Sequence, residues 1–302
     1  MESVLFGLAS ILVLGISAQW LAWRTRIPSI LILLAFGFLA GPILGYINPK
    51  LLLDKLFFPT ISLLVSIIVF EGGLSLRIKD LKEIGRPVRN IVILGTLMTF
   101  VIISLASYYI LGFNHQLSVM FGAMMVITGP TVIVPLLRHV NLKKQFSSLI
   151  RWEGILIAPI GTFLIVLVYQ STFISTDHVL KITLLILIKT MAVSTFISLI
   201  STGFLVLFFK RQWVPDFLQE LMTLVLVFSS FIGSNLIQQD SGILTVVLMG
   251  IILANQQIVS LQHIKVFKEN LRILSISTLF IVLSSRLVFS DITTLLDLKH
   301  FL

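Results

Sequence analysis

Ten apolar runs, most of them close to 20 residues or longer, follow one another along this 302-residue chain. A hydrocarbon core of about 30 Å takes roughly 20 helical residues to cross. Sustained strand-like alternation is missing, and a backbone surrounded by lipid can satisfy its hydrogen bonds only in helices or closed barrels. The runs lie at residues 3–23, 27–46, 57–76, 88–112, 116–137, 149–170, 179–209, 217–237, 242–255 and 271–289. The sequence therefore predicts an all-α polytopic membrane protein with about ten transmembrane helices.

The composition supports the membrane class and excludes several others. Hydrophobic residues make up 57% of the chain and charged residues 12%, with a mean hydropathy of +1.07. Soluble domains carry about 25% charged residues. The net charge of +9 resides between the apolar runs and not on a soluble basic face, so a nucleic-acid partner is not expected. Without cysteine or a His-rich motif, we expect no cofactor and no bound metal.

The basic residues alternate from loop to loop. When basic residues near the ends of the runs are counted with the adjoining loops, sixteen Lys and Arg residues fall in the odd-numbered loops, among them Lys265, Lys268 and Arg272. Four fall in the even loops and the tail, which leaves Lys189 and Arg286 inside predicted spans. Positive charge collects on the cytoplasmic side of membrane proteins. We therefore expect a multi-pass protein with its N-terminus outside. No Pro-, Gly- or Ser-rich linker divides the chain, so residues 1–302 are predicted to form one transmembrane transport domain with no soluble domain.

Two neighbouring spans carry residues that disturb a helix. The fifth contains Thr128-Gly129-Pro130-Thr131, and the sixth contains Ala158-Pro159 followed by Gly161. Proline removes a helical hydrogen bond and glycine permits unusual backbone angles. The alternative is an ordinary proline kink, but two adjacent interrupted spans are typical of a secondary transporter core. Freed carbonyls and the hydroxyls of Thr128 and Thr131 would then be oxygen ligands for a small cation.

Four charged residues, Glu71, Glu153, Lys189 and Arg286, are predicted to lie within spans, where charge is costly, and Lys189 either snorkels or faces a cavity. Glu153 and Arg286 are predicted to pair, because each would otherwise be an uncompensated charge. A structural pair and a catalytic pair are equally compatible with the sequence. Glu71 is either an interfacial cap or loop salt bridge, close to Arg77, or a charge that marks a pathway.

Five segments in order resemble the NhaP-type monovalent cation:proton antiporters, the bacterial sodium/proton exchangers. They are residues 70–76, 127–132, 151–155, 241–255 and 267–287. The resemblance implies an inverted-repeat fold with discontinuous helices in the bacterial inner membrane. It also implies exchange of Na⁺ or K⁺ for protons in pH homeostasis, and it leaves open whether a homodimer forms.

The resemblance implies a role for each candidate residue. Ala158 occupies the position of the sixth-helix carboxylate that binds cation and proton in turn. Glu71 matches an acid near the ion route, and Thr128 matches a ligand in the unwound stretch. Glu153 and Arg286 match a structural ion pair, and Gly129 stands where many relatives have Asp. The alanine is the main departure from the family pattern. A second is length, since ending at Leu302 predicts an incomplete second repeat.

Two other functional classes are compatible with the sequence. A transport-inactive truncated paralogue, acting as a membrane scaffold, is favoured by Ala158 and by the early end. An intramembrane enzyme would need a nucleophile or paired acids at one depth of the membrane. The single acid near each interrupted span argues against such a site, so enzymatic activity is not expected.

Overall fold

The computed structural model describes residues 2–52, 54–128, 133, 137, 140, 142–173, 179–258 and 262–287, and all regular structure within them is helical. The α-helices are α1 (Glu2–Thr25), α2 (Ser29–Phe38), α3 (Pro49–Leu52), α4 (Phe57–Leu74), α5 (Leu81–Asn90), α6 (Thr96–Tyr109), α7 (His115–Met125), α8 (Lys144–Phe173), α9 (Val179–Lys210), α10 (Asp216–Ile237), α11 (Ser241–Asn255) and α12 (Gln262–Ser285). Turns of π-helix at Leu39–Ile43 and Ile91–Gly95 continue α2 and join α5 to α6. Short 3₁₀ turns at Asp54–Leu56 and Ile78–Asp80 precede α4 and α5.

Each of the ten predicted spans coincides with one or more of these helices. Among the described residues, six helical segments are long and apolar enough to cross a membrane, and three shorter apolar helices lie at Ser29–Ile43, Ser241–Asn255 and Asn270–Ser285. In the fifth span, α7 ends at Met125, and Ile133 and Leu137 are the other described residues in helical conformation. The prediction of an all-α polytopic membrane protein is confirmed.

Several helices are longer than their apolar runs. The 32 residues of α9 rise about 48 Å, which exceeds a hydrocarbon core of about 30 Å. Lys189 lies 21 residues before Lys210, or about 31 Å along the axis. With Lys210 at one boundary of the hydrocarbon, exposed Lys189 reaches the other, where its ammonium can meet the headgroups.

The described helices fall into two compact units. One contains α1, α2, α3, the first part of α4 and most of α12, and the other contains the remaining helices. The boundary lies inside α4, between Ile68 and Val69. The single transport domain over residues 1–302 stays a prediction.

In the first unit, α12 packs closely against α2. A Cβ added at Gly37 would lie 2.6 Å from the Ile281 carbonyl oxygen, and one at Gly41 would lie 2.5 Å from that of Ser285. Only glycine therefore permits this backbone approach, which is the common use of two glycines four residues apart in membrane helices. The Ser284 hydroxyl donates to the Leu34 carbonyl oxygen at 2.6 Å and holds the same two helices together.

In the second unit, α4 and α11 cross at two glycines. A Cβ on Gly73 would lie 2.5 Å from the Val247 carbonyl oxygen, and one on Gly250 would overlap the Phe70 carbonyl oxygen. The missing side chains let the two backbones touch, which gives close dispersion contacts in a setting without a hydrophobic driving force between helices.

Candidate functional site

Helix α7 stops inside its apolar run. It begins at His115, where the Asn114 side chain accepts a hydrogen bond from the Leu117 amide at 2.8 Å, and it ends at Met125. The Ile127 amide donates to the Met124 carbonyl at 3.3 Å in a tighter turn. Thr128 then lies outside regular structure. The predicted helix-breaking residues Gly129 and Pro130, and the candidate ligand Thr131, lie outside the described residues.

The break predicted in the sixth span is not observed. Helix α8 runs unbroken from Lys144 to Phe173, through Ala158, Pro159 and Gly161. A single proline removes one backbone donor, and membrane helices tolerate that loss by local adjustment and by bonds from neighbours. The prediction that Pro159 breaks this helix was therefore wrong, and of the two predicted interruptions the described residues contain only the one after α7.

Two of the predicted site residues meet at the end of α7. The Thr128 hydroxyl donates a hydrogen bond to the Glu153 carboxylate at 2.9 Å. Thr128 is exposed and Glu153 is partly buried. A carboxylate and a hydroxyl thus provide oxygen atoms at the end of α7, which are ligands suited to a small hard cation or a proton.

One face of α8 packs against the segment around this break. A Cβ on Gly154 would overlap the Ile133 side chain, and a Cβ on Gly161 would overlap that of Ile127. Helical spacing places position 158 on the same face, four residues after Gly154 and three before Gly161. Position 158, where the resemblance implies the exchange carboxylate, thus belongs to the face of α8 that adjoins the break.

Glu71 lies in the part of α4 that packs against α11. Its side chain is only 7% exposed, two residues before the glycine contact between these helices. A buried intramembrane acid at a tight helix crossing is compatible with the predicted place beside an ion route. Its role in ion movement stays a prediction.

Arg286 lies directly after the end of α12. Helix α12 ends at Ser285, and Arg286 follows in a turn, with its guanidinium 4.6 Å from the centre of the Phe57 ring and 5.3 Å from that of Phe58. Its place within the tenth span stays a prediction, since the apolar run continues past the point where the helix ends. Glu153 and Arg286 belong to different units, and their ion pair stays a prediction.

Arg272 lies in a helix, whereas the sequence analysis predicted a loop there. It was counted with the basic loop before the tenth span, but α12 begins nine residues earlier, at Gln262, and Arg272 is 5% exposed within the helix. Three basic residues close together, Lys265, Lys268 and Arg272, favoured a loop. Their spacing of three and four residues, which is also helical spacing, is the signal that could have corrected the prediction.

A cluster of buried hydroxyls joins α9, α10 and α11 and was not predicted. The Ser194 hydroxyl donates to the Ser241 carbonyl at 3.0 Å, and the Ser234 hydroxyl lies 2.5 Å from that of Ser241 and 2.6 Å from that of Thr245. One turn away, Ser230 donates to Ser201 at 2.6 Å. Such bonds hold membrane helices together where apolar packing alone is weak.

The hydroxyl cluster had a signal in the sequence. Ser194, Ser198 and Ser201 recur at helical spacing on α9, and Ser230 with Ser234 and Ser241 with Thr245 recur four residues apart on the next two helices. A search for polar periodicity inside apolar runs would have found these faces.

Helix α11 is also tied to the end of α4 by Asn255. Its side-chain oxygen accepts from the Ile78 amide at 2.8 Å, and its side-chain nitrogen donates to the Leu76 carbonyl at 2.9 Å. One amide side chain thereby satisfies two backbone groups in the segment that follows the end of α4. Together with the glycine crossing, this fixes the part of α4 that carries Glu71.

Comparisons with known proteins agree with this architecture. The family model described as sodium/hydrogen exchanger, transmembrane, matches residues 8–301. Na(+)/H(+) antiporter 1 of Methanocaldococcus jannaschii is 28% identical over 156 residues, which are 50% of this chain and 35% of that protein. The aligned region thus covers about a third of that relative's length.

Solved structures show the same fold. The sodium proton antiporter MjNhaP1 from Methanocaldococcus jannaschii at pH 8 superposes with a TM-score of 0.79 and 20% identity, over 98% of this chain and 75% of that chain. An electron-microscopy structure of the same antiporter gives a TM-score of 0.72 and 21% identity, over 96% and 72%. The described helices share the fold of these solved structures, and the family match over residues 8–301 shows that the chain belongs to the transmembrane sodium/hydrogen exchanger family.

Proposed function

We propose that this protein exchanges a monovalent cation, Na⁺ or K⁺, for protons across the membrane at the break after α7. The observation that carries the proposal is the 2.9 Å contact between Thr128, on a non-helical segment within an apolar run, and the Glu153 carboxylate on α8. Irregular backbone next to a charged group inside a membrane protein marks a pathway or binding site more often than a packing element.

The exchange chemistry is competition at one carboxylate. When Glu153 is ionised, its oxygens and those around Thr128 replace part of the cation's hydration shell. When a proton binds the carboxylate, the negative charge is lost and the cation leaves. Alternating exposure of the site to the two sides of the membrane turns this competition into exchange.

Ala158 limits this exchange in our proposal. An alanine can neither bind a proton nor neutralise a cation, and position 158 lies on the face of α8 that adjoins the break. Glu153 lies five residues earlier, about 7.5 Å along the helix axis. We propose that coupling through Glu153 alone is weak and that a carboxylate at position 158 would strengthen it.

The test is proton efflux from acid-loaded proteoliposomes on addition of Na⁺ or K⁺. We expect slow efflux from the native chain, faster efflux from Ala158→Asp and none from Glu153→Gln. Glu83→Gln is the matched control, since it removes an exposed acid of α5. It should behave like the native chain. Native efflux from Glu153→Gln would overturn the proposed site, and the cation that drives efflux decides between Na⁺ and K⁺.

The second candidate is a membrane scaffold of the same architecture that moves no ion. Ala158 favours it, because the residue that binds cation and proton in the resemblance is missing. Absence of efflux from the native chain and from Ala158→Asp, with both cations and with the protein correctly inserted, would identify this function and reject the first.

We also propose a location and orientation. The sixteen-to-four distribution of basic residues supports an N-terminus outside the bacterial inner membrane. A homodimer is an additional proposal, testable by the mass of the purified protein in detergent.

A further inference from the structure

The helical rod from Ile78 to Tyr109 is the least buried of the long spans. It contains α5, the π-helical turn and α6 without interruption. Only 11% of its most apolar stretch is buried, against 28% to 50% in the five other long apolar helices among the described residues. Its amphipathic start packs on α8 through the side of α5 that carries buried Ile84 and Val88. The opposite side faces outward along the whole rod.

The side chains on that outward side change along the rod from basic to aliphatic and then to tyrosine. Exposed Lys82, Arg86 and Arg89 recur at spacings of four and three residues and form a basic stripe on one helical face. The stripe continues in the same spacing through exposed aliphatic residues and ends at exposed tyrosines. These are Ile93, Leu97, Val101, Leu105, Tyr108 and Tyr109.

The length of this pattern matches the thickness of the hydrocarbon core of a bilayer. Arg89 and Tyr108 are 19 residues apart, or about 28 Å along the axis, against a hydrocarbon core of about 30 Å. Tyrosines are enriched at membrane interfaces. If Tyr108 lies at one interface, Arg89 lies at the other, and Lys82 stands about 10 Å further out, in the headgroup layer.

We infer that the basic stripe Lys82, Arg86 and Arg89 binds the phosphate headgroup of an anionic phospholipid, whose acyl chains lie along the aliphatic part of the same face. Three cations on adjacent turns supply charge complementarity, and Glu83, beside Arg86 on the helix surface, leaves a net charge of two on this part of α5. A basic cluster beside a membrane span is a physical match for anionic lipid.

Other occupants fit this face less well. A second copy of the chain, related by twofold symmetry, would bring its own stripe against this one, which places like charges together. A soluble acidic protein could reach the stripe but not the aliphatic residues that continue it. Only a lipid has a charged group and an apolar body in the same order and over the same length.

The experiment titrates the purified full chain in detergent with phosphatidylglycerol or phosphatidylcholine and measures bound lipid by native mass spectrometry. The stripe variant is Lys82→Gln with Arg86→Gln and Arg89→Gln. The control variant is Lys143→Gln with Lys144→Gln and Lys210→Gln, which removes the same charge from exposed positions outside the rod.

We expect the native chain and the control to bind phosphatidylglycerol more tightly than phosphatidylcholine. Each basic residue near a membrane surface contributes about fivefold in affinity, so the stripe variant should lose up to about 100-fold. If the triple variant does not fold, the single variants Arg86→Gln and Arg89→Gln replace it. Each is expected to lose about fivefold in phosphatidylglycerol affinity.

Two results would overturn the inference. One is unchanged phosphatidylglycerol affinity in the stripe variant, or an equal loss in the control. The other is a change from dimer to monomer mass in the stripe variant with lipid binding unaltered, which would assign the face to a second copy of the chain.

Discussion

The Thr128 hydroxyl donates to the Glu153 carboxylate at 2.9 Å, across the gap between the end of α7 and helix α8. Thr128→Val keeps the shape of the side chain but removes the donor. A hydrogen bond to a charged group contributes about 1.5–3 kcal/mol, so we expect a loss of unfolding free energy of about that size at most, and a loss of cation-driven proton efflux. Thermal unfolding in detergent and the proteoliposome assay measure the two effects.

Thr128→Ser is the matched control for this contact. It keeps the hydroxyl and loses only a methyl group, so stability and efflux should stay close to native. Native values for Thr128→Val in both measurements would show that the contact matters neither for stability nor for the proposed exchange.

Gly250 is expected to tolerate no side chain. A Cβ there would overlap the Phe70 carbonyl oxygen and lie 3.0 Å from the Leu74 amide nitrogen, so α4 and α11 would have to separate. Overpacking of this kind costs about 1–3 kcal/mol. We expect Gly250→Ala to lower the unfolding temperature, and Gly250→Val to lower it further.

Gly203→Ala provides the comparison on α9. An added Cβ at Gly203 would meet nothing within 4 Å, and alanine favours a helix over glycine by about 1 kcal/mol. Its unfolding temperature should equal or exceed that of the native chain. The prediction for Gly250 fails if the two alanine variants unfold at the same temperature.

The spans were predictable because a membrane imposes one strong rule. Each span of a helical membrane protein needs an apolar run, so each of the ten runs coincides at least in part with a helix among the described residues, and most of the described bounds agree within a few residues. Helix ends outside the hydrocarbon follow local hydrogen bonding instead. For that reason α12 begins well before its apolar run and contains Lys265, Lys268 and Arg272, which had been counted with the loop before that run.

The candidate site was predictable in part. Thr128 and Glu153 were both singled out from sequence, and the structure brings them into contact. The uninterrupted course of α8 through Pro159 was not predictable, because the same dipeptide fits a broken helix and a merely distorted one. The roles of Asn255 and the hydroxyl cluster depend on which helices are neighbours, and one sequence does not specify that.

We expect the stability of the protein to depend on the side-chain amide of Asn255. Its oxygen accepts from the Ile78 amide, and its nitrogen donates to the carbonyls of Leu76 and Ile251. Asn255→Ala removes all three bonds, at about 0.5–1.5 kcal/mol each. Asn255→Asp keeps the acceptor but turns an oxygen towards two carbonyls, so it should be at least as destabilising as alanine. Thermal unfolding ranks the variants, and hydrogen exchange of the Ile78 amide should accelerate in Asn255→Ala. An aspartate variant as stable as the native chain would contradict the assigned bonds.

The predicted orientation can be tested directly because the chain has no cysteine, so a single introduced thiol is the only reactive one. His115, at the start of α7, and Lys143, just before α8, are both exposed and lie on opposite sides of the membrane if one span separates them.

With the N-terminus outside, His115→Cys should react with a membrane-impermeant maleimide in intact cells, and Lys143→Cys should react only after the membrane is permeabilised. The physical reason for this expectation is the excess of basic residues in the odd-numbered loops, which favours a cytoplasmic position for them. The cysteine-free native chain is the control for background labelling. The reverse pattern would invert the orientation, and labelling of both positions from the same side would mean that no membrane span separates them.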